Sequence, residues 1–317
     1  MGNGDVADQP SRAHNGRVEP AMPIIVGAPR SGTTLLRFML DSHPDMAIPP
    51  ETGFLSIADR LKGSGDALRR DFFEAVTTFP PDAPGWNDFG LPDDEFWATL
   101  LDIDPFSVAD GYRAFYRTYA ARFGKGRWGD KTPMYCLHVS SIEAVLPEAR
   151  FVHIIRDGRD VALSLREMWF SPGHSMEAQA DHWRSCVSTA RQQGAACQHY
   201  MEVRFEELIE HTEGVLRSLC EFIDLPYSPE MLAYHLRTPG RLEEHRDRRR
   251  TDGSVLVSHA ARLRQQAAVT LPPQASRIDT WKQRMSGDER HRFEAIAGPL
   301  LLELGYEVDL PRGKIGT

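Results

Sequence analysis

The chain has 317 residues, which is enough for one large α/β domain, and 41% of them are hydrophobic while 26% are charged. Lysine and arginine number 37 against 45 aspartates and glutamates, and the net charge of −8 argues against broad binding to nucleic acid or to an anionic membrane. No stretch approaches the roughly 20 apolar residues of a membrane span, and the four cysteines form no C-x-x-C pair, so we expect a cytoplasmic protein with reduced thiols and no membrane contact.

The N-terminal segment differs in composition from the rest of the chain. Residues 1–21 are polar and lack the apolar core of a signal peptide, so we expect a flexible tail there. Residues 22–317 are interpreted as a single α/β domain with insertions, and no internal repeat is found in them.

A phosphate-binding loop is predicted directly after the tail. Residues 24–26 (Ile-Ile-Val) are typical of a strand buried on both faces, Gly27 to Gly32 supply a turn, and apolar residues then recur at helical spacing. A strand, a glycine-bracketed loop and a helix N-terminus together form an anion site, because unpaired backbone N–H groups and the helix dipole converge there. The glycine spacing fits a Walker A loop, but Thr33 stands where that loop has its lysine, and the positive charge is Arg30.

The run Ala28-Pro-Arg-Ser-Gly-Thr-Thr-Leu-Leu resembles the 5′-phosphosulfate loop of sulfotransferases that use 3′-phosphoadenosine 5′-phosphosulfate (PAPS). The match extends through Glu51-Thr52 and is most similar to the tyrosylprotein sulfotransferase branch, a stretch that many bacterial sulfotransferases share. The resemblance implies a P-loop NTPase-like, three-layer α/β/α fold with a central parallel sheet. It also implies that the phosphosulfate is bound by Arg30, Ser31, Gly32, Thr33, Thr34 and Leu35. A glycine turn between an ordinary strand and helix is the plainer alternative.

A helical insertion is predicted over residues 54–123, and we interpret it as part of the wall for the acceptor substrate. Its expected helices are Phe54–Leu61, Asp66–Thr77, Asp93–Leu101 and Ser107–Phe123. The last of these carries Tyr112, Phe115, Tyr116 and Tyr119 at a spacing typical of core packing. A loop rich in proline and aromatic residues separates the second helix from the third.

Two later strand ends carry basic residues. Lys131 follows a short strand, before a helix expected from Cys136 to Leu146, and the resemblance places this lysine beside the sulfuryl group; the alternative is a solvated charge in a turn. Arg156 ends the buried run Ala149–Ile155, and Ser164 follows eight residues later. In the resemblance this pair binds the ribose 3′-phosphate, for which the planar guanidinium of arginine is suited. The alternative is a surface ion pair of Arg156 with a nearby aspartate.

The C-terminal half contributes fewer expected contacts. After a long helix from about Ser175 to Gln198, the strand Met201–Phe205 ends in Arg204 and Phe205, which the resemblance places near the nucleotide, with Phe205 in a slot where the family has tyrosine. Ser276 and Arg277 begin an element that, by resemblance, folds back over the donor. The mixed-charge residues 237–254 are either solvated surface or part of a lid over the donor site that spans residues 237–275. A final helix is expected over Asp288–Leu304.

The implied reaction is an in-line transfer of the sulfuryl group to an acceptor hydroxyl, which releases 3′,5′-adenosine bisphosphate. Lys131 and Arg30 are expected to stabilise the charge on the leaving phosphate, and the resemblance gives Glu51 as the general base, with His43 and His138 as lesser candidates. No metal is expected, since no His, Cys and Asp spacing suggests one.

The acceptor and the oligomeric state stay open. A peptide tyrosine, a sugar, a lipid or a phenolic metabolite is compatible with the sequence, as is a homodimer, and Gly53 replaces an arginine found in the tyrosylprotein branch. Two other functions are kept as alternatives. One is a P-loop kinase-like phosphotransferase, which the missing lysine at position 33 disfavours; the other is a nucleotide-binding module without catalysis.

Overall fold

A four-stranded sheet lies at the centre of the computed structural model, which describes residues 19–308. Most of the predicted tail, and the last nine residues, therefore lie outside the described residues. The strands are β1 (Met22–Val26), β2 (Met46–Ala47), β3 (Arg127–Trp128), β4 (Asp130–Lys131), β5 (Ala149–Ile155), β6 (Tyr200–Arg204), β7 (Arg248–Arg249) and β8 (Val255–Val257). The central sheet has the order β4-β1-β5-β6 and every pair in it is parallel, while β2 pairs with β3 and β7 with β8 in two small separate sheets.

The parallel order decides where the functional side chains lie. The carboxyl ends of β4, β1, β5 and β6 reach the same edge of the sheet, and neighbouring strands are about 4.8 Å apart. Lys131, the loop after Val26, Arg156 and Phe205 therefore leave the sheet side by side. This is the edge at which open α/β sheets bind ligands.

Thirteen α-helices flank the sheets within residues 19–308. They are α1 (Thr33–Asp41), α2 (Gly65–Thr77), α3 (Asp93–Leu101), α4 (Val108–Ala121), α5 (Val139–Val145), α6 (Gly158–Leu165), α7 (Met176–Gly194), α8 (Phe205–Glu210), α9 (Thr212–Phe222), α10 (Tyr234–Leu242), α11 (His259–Gln266), α12 (Trp281–Arg284) and α13 (Gly287–Glu303). No helix in this part of the chain is long and apolar enough to cross a membrane.

Two hydrophobic cores cover the two faces of the sheet. Successive side chains of a strand point to opposite faces, and in β5 the side chains of Phe151 and Ile155 belong to one core while Val152 and Ile154 belong to the other. The first core contains side chains from the 54–123 segment, which includes α4, and from α5, α6, α7 and α13. The second contains side chains from α1 and α8 to α10. The predicted three-layer α/β/α arrangement is confirmed.

The predicted helices of the 54–123 segment are present, with one change of type. Phe54–Arg60 is a 3₁₀ helix, in which the N–H and the hydroxyl of Ser56 both donate to the Gly53 carbonyl three residues back. The four aromatic residues predicted to be core are fully buried on α4, where Phe54 stacks on Tyr112 with ring centroids 5.6 Å apart. The helix expected from Cys136 begins later, at Val139, because Pro133–Leu137 forms another 3₁₀ turn.

Candidate active site

The loop between β1 and α1 is built on two glycines that no other residue could replace without strain. Gly27 and Gly32 have φ values of 151° and 101°. A Cβ atom on Gly27 would lie 2.4 Å from the Ile154 carbonyl oxygen, and one on Gly32 would lie 2.4 Å from the Phe205 ring. Gly32 supplies no side-chain cap to α1, so the first N–H groups of that helix remain available to an anion.

The two predicted phosphate sites meet at this loop. Arg30 donates from Nε to the Ser164 hydroxyl at 3.0 Å, and Arg156 donates to the Arg30 carbonyl at 3.2 Å. Arg30, in the loop after β1, therefore contacts both residues that are predicted to bind the 3′-phosphate. Arg156 also lies 3.5 Å from Asp160, so the ion pair considered as an alternative exists, but both partners are buried rather than on the surface.

The arginines at this junction crowd one another. Burial lowers the pKa of Arg30, and the charges of Arg277 and Arg156 lower it further. Arg156 donates to the Arg277 carbonyl at 2.6 Å, and its guanidinium lies 4.6 Å from the centroid of the Phe205 ring. Cations that repel one another in a partly desolvated site are stabilised by a multivalent anion, because the anion pairs with several of them at once.

Glu51 and Lys131 form an ion pair next to the loop. Lys131 is almost fully buried and donates to Glu51 Oε1 and, at 3.3 Å, to the Thr34 hydroxyl. Removal from bulk water raises the pKa of Glu51, but the charge and hydrogen bond of Lys131 outweigh that effect and hold the pKa below its usual value. The lowered pKa means that the Glu51 carboxylate is ionised at neutral pH, and because its side chain is 53% exposed an incoming group can reach it.

A buried hydrogen-bond network lies behind this ion pair and fixes both of its members. Asp130, which precedes Lys131, accepts from the Thr52 hydroxyl at 2.7 Å and from the Tyr116 hydroxyl at 2.8 Å. Thr52, which follows Glu51, also donates its N–H to the Thr132 hydroxyl at 3.1 Å. Burial raises the pKa of Asp130 to about 6. No sequence motif predicts this network, although three of its members, Thr52, Asp130 and Thr132, adjoin the predicted catalytic residues.

One cavity of about 440 Å³ brings most of the predicted site residues together. Its lining includes eleven of them: Arg30, Gly32, Thr33, Thr34, Leu35, Glu51, Lys131, Arg156, Ser164, Phe205 and Arg277. The predicted residues Ser31, Arg204 and Ser276 are not part of the lining, and neither are His43 and His138.

Arg204 and Ser31 have other contacts. Arg204 donates to the Leu304 carbonyl and lies 4.1 Å from the Tyr306 ring centroid, so it joins β6 to the end of α13. Ser31 is fully buried, and its N–H donates to the Ala28 carbonyl within the loop. The prediction that Arg204 contacts the nucleotide therefore lacks structural support in this conformation, since the side chain turns away from the cavity.

The predicted lid contributes one wall of the cavity, and with it several residues that sequence reasoning missed. His245, Arg248 and Arg262 line the cavity from residues 237–275, and Arg37 lines it from α1. Asp88, in the 54–123 segment, accepts from Arg248 at 3.0 Å and from both terminal nitrogens of Arg262 at 2.8 and 2.7 Å. The mixed-charge composition of residues 237–254 is the one sequence feature that points to a role for this segment. It does not predict which carboxylates pair with its arginines.

Within residues 19–308 no group of His, Cys, Asp or Glu side chains has an arrangement that could hold a metal ion. The four cysteines carry free thiols.

Comparison with known proteins gives a consistent result. The model of the sulfotransferase family matches residues 23–229. Protein-tyrosine sulfotransferase 1 of Danio rerio is 28% identical over 294 residues, which cover 90% of this chain and 73% of the relative. Nodulation protein NoeE of Sinorhizobium fredii is 26% identical, with 93% of this chain and 68% of the relative covered. Among solved structures, the sulfotransferase domain from the curacin biosynthetic pathway superposes with a TM-score of 0.57 at 20% identity, over 92% of this chain and 99% of that domain.

Proposed function

The chain belongs to the sulfotransferase family, and on that premise we propose that it uses PAPS as the sulfuryl donor and an acceptor hydroxyl as the nucleophile. The observation that carries the proposal is the contact between the loop that follows β1 and the residues that follow β5. Arg30 reaches Ser164, and Arg156 reaches the Arg30 carbonyl, inside one cavity. Such a site suits one ligand with two separated anionic groups, as PAPS has at its 5′ and 3′ positions.

The residues divide into two groups of contacts toward that donor. Arg30, the uncapped N-terminus of α1 and the hydroxyls of Thr33 and Thr34 suit the phosphosulfate. Arg156 and Ser164 suit the 3′-phosphate, and Phe205, whose ring carries the Arg156 guanidinium 4.6 Å from its centroid, lines the cavity where it can contact the adenine base.

The Glu51–Lys131 pair suits the chemical step. Glu51 is proposed to take the proton of the acceptor hydroxyl while the oxygen of that hydroxyl forms a bond to sulfur. Lys131 and Arg30 stabilise the negative charge that collects on the phosphate as its bond to sulfur breaks. The cavity positions the two reactants and offsets charge, as an in-line transfer with a loose transition state requires.

The two alternative functions, a kinase-like phosphotransferase and a nucleotide-binding module without catalysis, would require different features of the same site. A kinase-like phosphotransferase would bind ATP with magnesium, but Thr33 takes the place of the Walker A lysine that would contact the phosphates. A module without catalysis would bind the bisphosphate product and transfer nothing. The reachable, ionised Glu51 beside Lys131 favours an enzyme over such a module.

A melting-temperature comparison separates these functions. We expect 3′,5′-adenosine bisphosphate to raise the Tm, and ATP with magnesium to raise it far less, because only the bisphosphate supplies the 3′-phosphate. Release of the bisphosphate from PAPS in the presence of a hydroxyl acceptor then distinguishes an enzyme from a binding module. A rise in Tm with ATP and magnesium, but none with the bisphosphate, would instead support the kinase hypothesis.

We also propose a cytoplasmic location. The four free thiols support it, because disulfide bonds are favoured in oxidising compartments and rare in the cytoplasm.

A further inference from the structure

Asp160, on the first turn of α6, is a buried carboxylate that has no part in the reaction proposed above. Only 2% of the residue is exposed, and it does not line the cavity. Burial raises the pKa of Asp160, and the positive charge of Arg156 is the strongest influence that opposes this rise. A carboxylate is costly to remove from water unless its oxygens have cationic or hydrogen-bonding partners, so the contacts of the two oxygens indicate its role.

One oxygen of Asp160 fastens residues 277–281 to α6. Asp160 Oδ1 accepts from the Thr280 hydroxyl at 2.6 Å and from the Trp281 N–H at 2.8 Å. The segment begins with Arg277, which lines the cavity. A wall of the cavity is therefore held in place from behind by this carboxylate.

The other oxygen of Asp160 faces the Arg156 guanidinium. Asp160 Oδ2 lies 3.5 Å from a terminal nitrogen of Arg156, and within residues 19–308 it has no hydrogen-bond partner. Arg156 Nε is also buried without a partner in that part of the chain, while the terminal nitrogens of Arg156 donate to the Arg30 and Arg277 carbonyls. The two opposite charges attract each other, so Asp160 influences the direction in which the guanidinium points.

We propose that Asp160 is a positioning residue for the 3′-phosphate: one of its oxygens holds the 277–281 segment, and the other orients Arg156 toward the cavity. This inference rests on the proposed use of PAPS, because it assigns a role within the same donor site. Asp160 acts without touching the ligand. A guanidinium that is held on one side presents its other N–H groups in a fixed direction, so less side-chain freedom is lost when a phosphate binds.

Titration calorimetry with 3′,5′-adenosine bisphosphate and with 5′-AMP tests the contact to Arg156. Asp160→Asn keeps one oxygen for Thr280 and Trp281 but removes the charge that faces the guanidinium. We expect this variant to bind the bisphosphate about tenfold more weakly than wild type, and 5′-AMP less than about twofold more weakly, because 5′-AMP has no 3′-phosphate. An equal loss for both nucleotides would show a structural role only, and unchanged or tighter bisphosphate binding would show that Asp160 mainly repels the phosphate. Either result would overturn the proposal.

Asp279→Asn is the matched control for the loss of a charge. Asp279 belongs to the same segment, but its side chain is 50% exposed, pairs with Lys282 and lies outside the cavity lining. Its φ of 58° suits asparagine as well as aspartate. We expect this variant to keep the wild-type preference for the bisphosphate. A loss as large as that in Asp160→Asn would mean that net charge, and not the contact with Arg156, decides the preference.

A double-mutant cycle shows whether Asp160 acts through Arg156. In an Arg156→Ala background, Asp160→Asn is expected to change bisphosphate affinity by less than about twofold, compared with about tenfold in the wild-type background. The same effect in both backgrounds would mean that the two residues act independently, which would refute the positioning role.

Hydrogen exchange tests the hold on the segment. Asp160→Ala removes both oxygens, so we expect the Trp281 N–H and its neighbours in residues 279–284 to exchange at least about tenfold faster than in wild type. Unchanged exchange would contradict the hold.

A failure of the proposed function gives a different result. Wild type would then show no preference for the bisphosphate over 5′-AMP, and the donor assignment would fail together with the role of Asp160. If the role of Asp160 alone were wrong, wild type would prefer the bisphosphate and Asp160→Asn would prefer it equally.

Discussion

In the proposed reaction Glu51 accepts a proton and Lys131 stabilises negative charge. The ion pair between them holds both side chains in the charge state that these roles require. The lysine keeps the Glu51 carboxylate ionised at neutral pH, and it can hydrogen-bond to a phosphate oxygen from the same position. The pairing of these residues was not predicted as such. Each was identified from its own motif, and the structure brings together residues that are 80 positions apart.

Replacing the base tests this residue pair. We expect Glu51→Gln to lower kcat by about 10²–10⁴-fold, because a positioned base contributes that much, while the bisphosphate binds as in wild type. The amide oxygen can still accept from Lys131, so the lysine stays in place. Glu243→Gln, at an exposed carboxylate, is the control. Wild-type turnover in Glu51→Gln would remove this residue from the role of base.

Asp130 gives a prediction about pH. Its pKa is raised to about 6 by burial, so the folded state holds a proton that the unfolded state releases near pH 4, and the contribution of Asp130 to stability falls as pH rises from about 4 to about 6. The size of this effect is about 3 kcal/mol. Asp130→Asn cannot ionise, so its stability relative to wild type should rise over that pH range.

Denaturant unfolding of both proteins at pH 4.5 and pH 7.5 measures this difference. A stability difference that is the same at both pH values would show that the Asp130 carboxyl titrates as an ordinary aspartate in the folded protein.

Neighbouring residues at one strand end show the limit of sequence reasoning. Phe205 lines the cavity, whereas Arg204 donates to the Leu304 carbonyl. Successive side chains at the end of a strand point in opposite directions, so one of the two had to turn away. Which one faces the site depends on the packing of α8, and the sequence pattern does not specify it.

At the scale of elements, the sheet and the phosphate loop were predictable because each leaves a local signal. A buried β-branched run, two glycines and a change to helical spacing identify β1, the loop and α1 from 20 contiguous residues. The segment 237–275 leaves no such signal. It consists of the end of α10, a short hairpin, α11 and 3₁₀ turns, and it is held by side chains from distant parts of the chain, including Asp41 and Asp88.

Asp88 should be the main anchor of this segment. It also accepts from the Arg246 N–H at 2.9 Å, and its removal would leave the largely buried side chains of Arg248 and Arg262 without their acidic partner. We expect Asp88→Ala to lower stability by about 3–5 kcal/mol, the cost of breaking a buried pair, and to speed hydrogen exchange in residues 246–266.

Hydrogen exchange followed by mass spectrometry measures the second effect, with Asp252→Asn as a control at an exposed position of the same segment. Unchanged protection of residues 246–266 in Asp88→Ala would mean that other contacts hold the cavity wall, and the prediction of a lid held by Asp88 would be wrong.

At the scale of the whole molecule, an acidic protein surrounds a cationic cavity. The net charge of −8 excludes a generally basic surface, yet seven lysines and arginines line the cavity, from four separate parts of the chain. Composition could predict that an anionic donor needs a locally basic site. It could not predict Arg37, Arg248 or Arg262, because their positions depend on tertiary packing.

The central claim is that Arg30 and Arg156 hold opposite ends of one doubly phosphorylated adenosine. Titration calorimetry of wild type and Arg156→Ala with 3′,5′-adenosine bisphosphate and with 5′-AMP tests it most directly. We predict that wild type prefers the bisphosphate by about 10–100-fold, the value of a charge-assisted contact to the 3′-phosphate, and that Arg156→Ala loses most of this preference. Equal affinity of the wild-type protein for the two nucleotides would contradict the account.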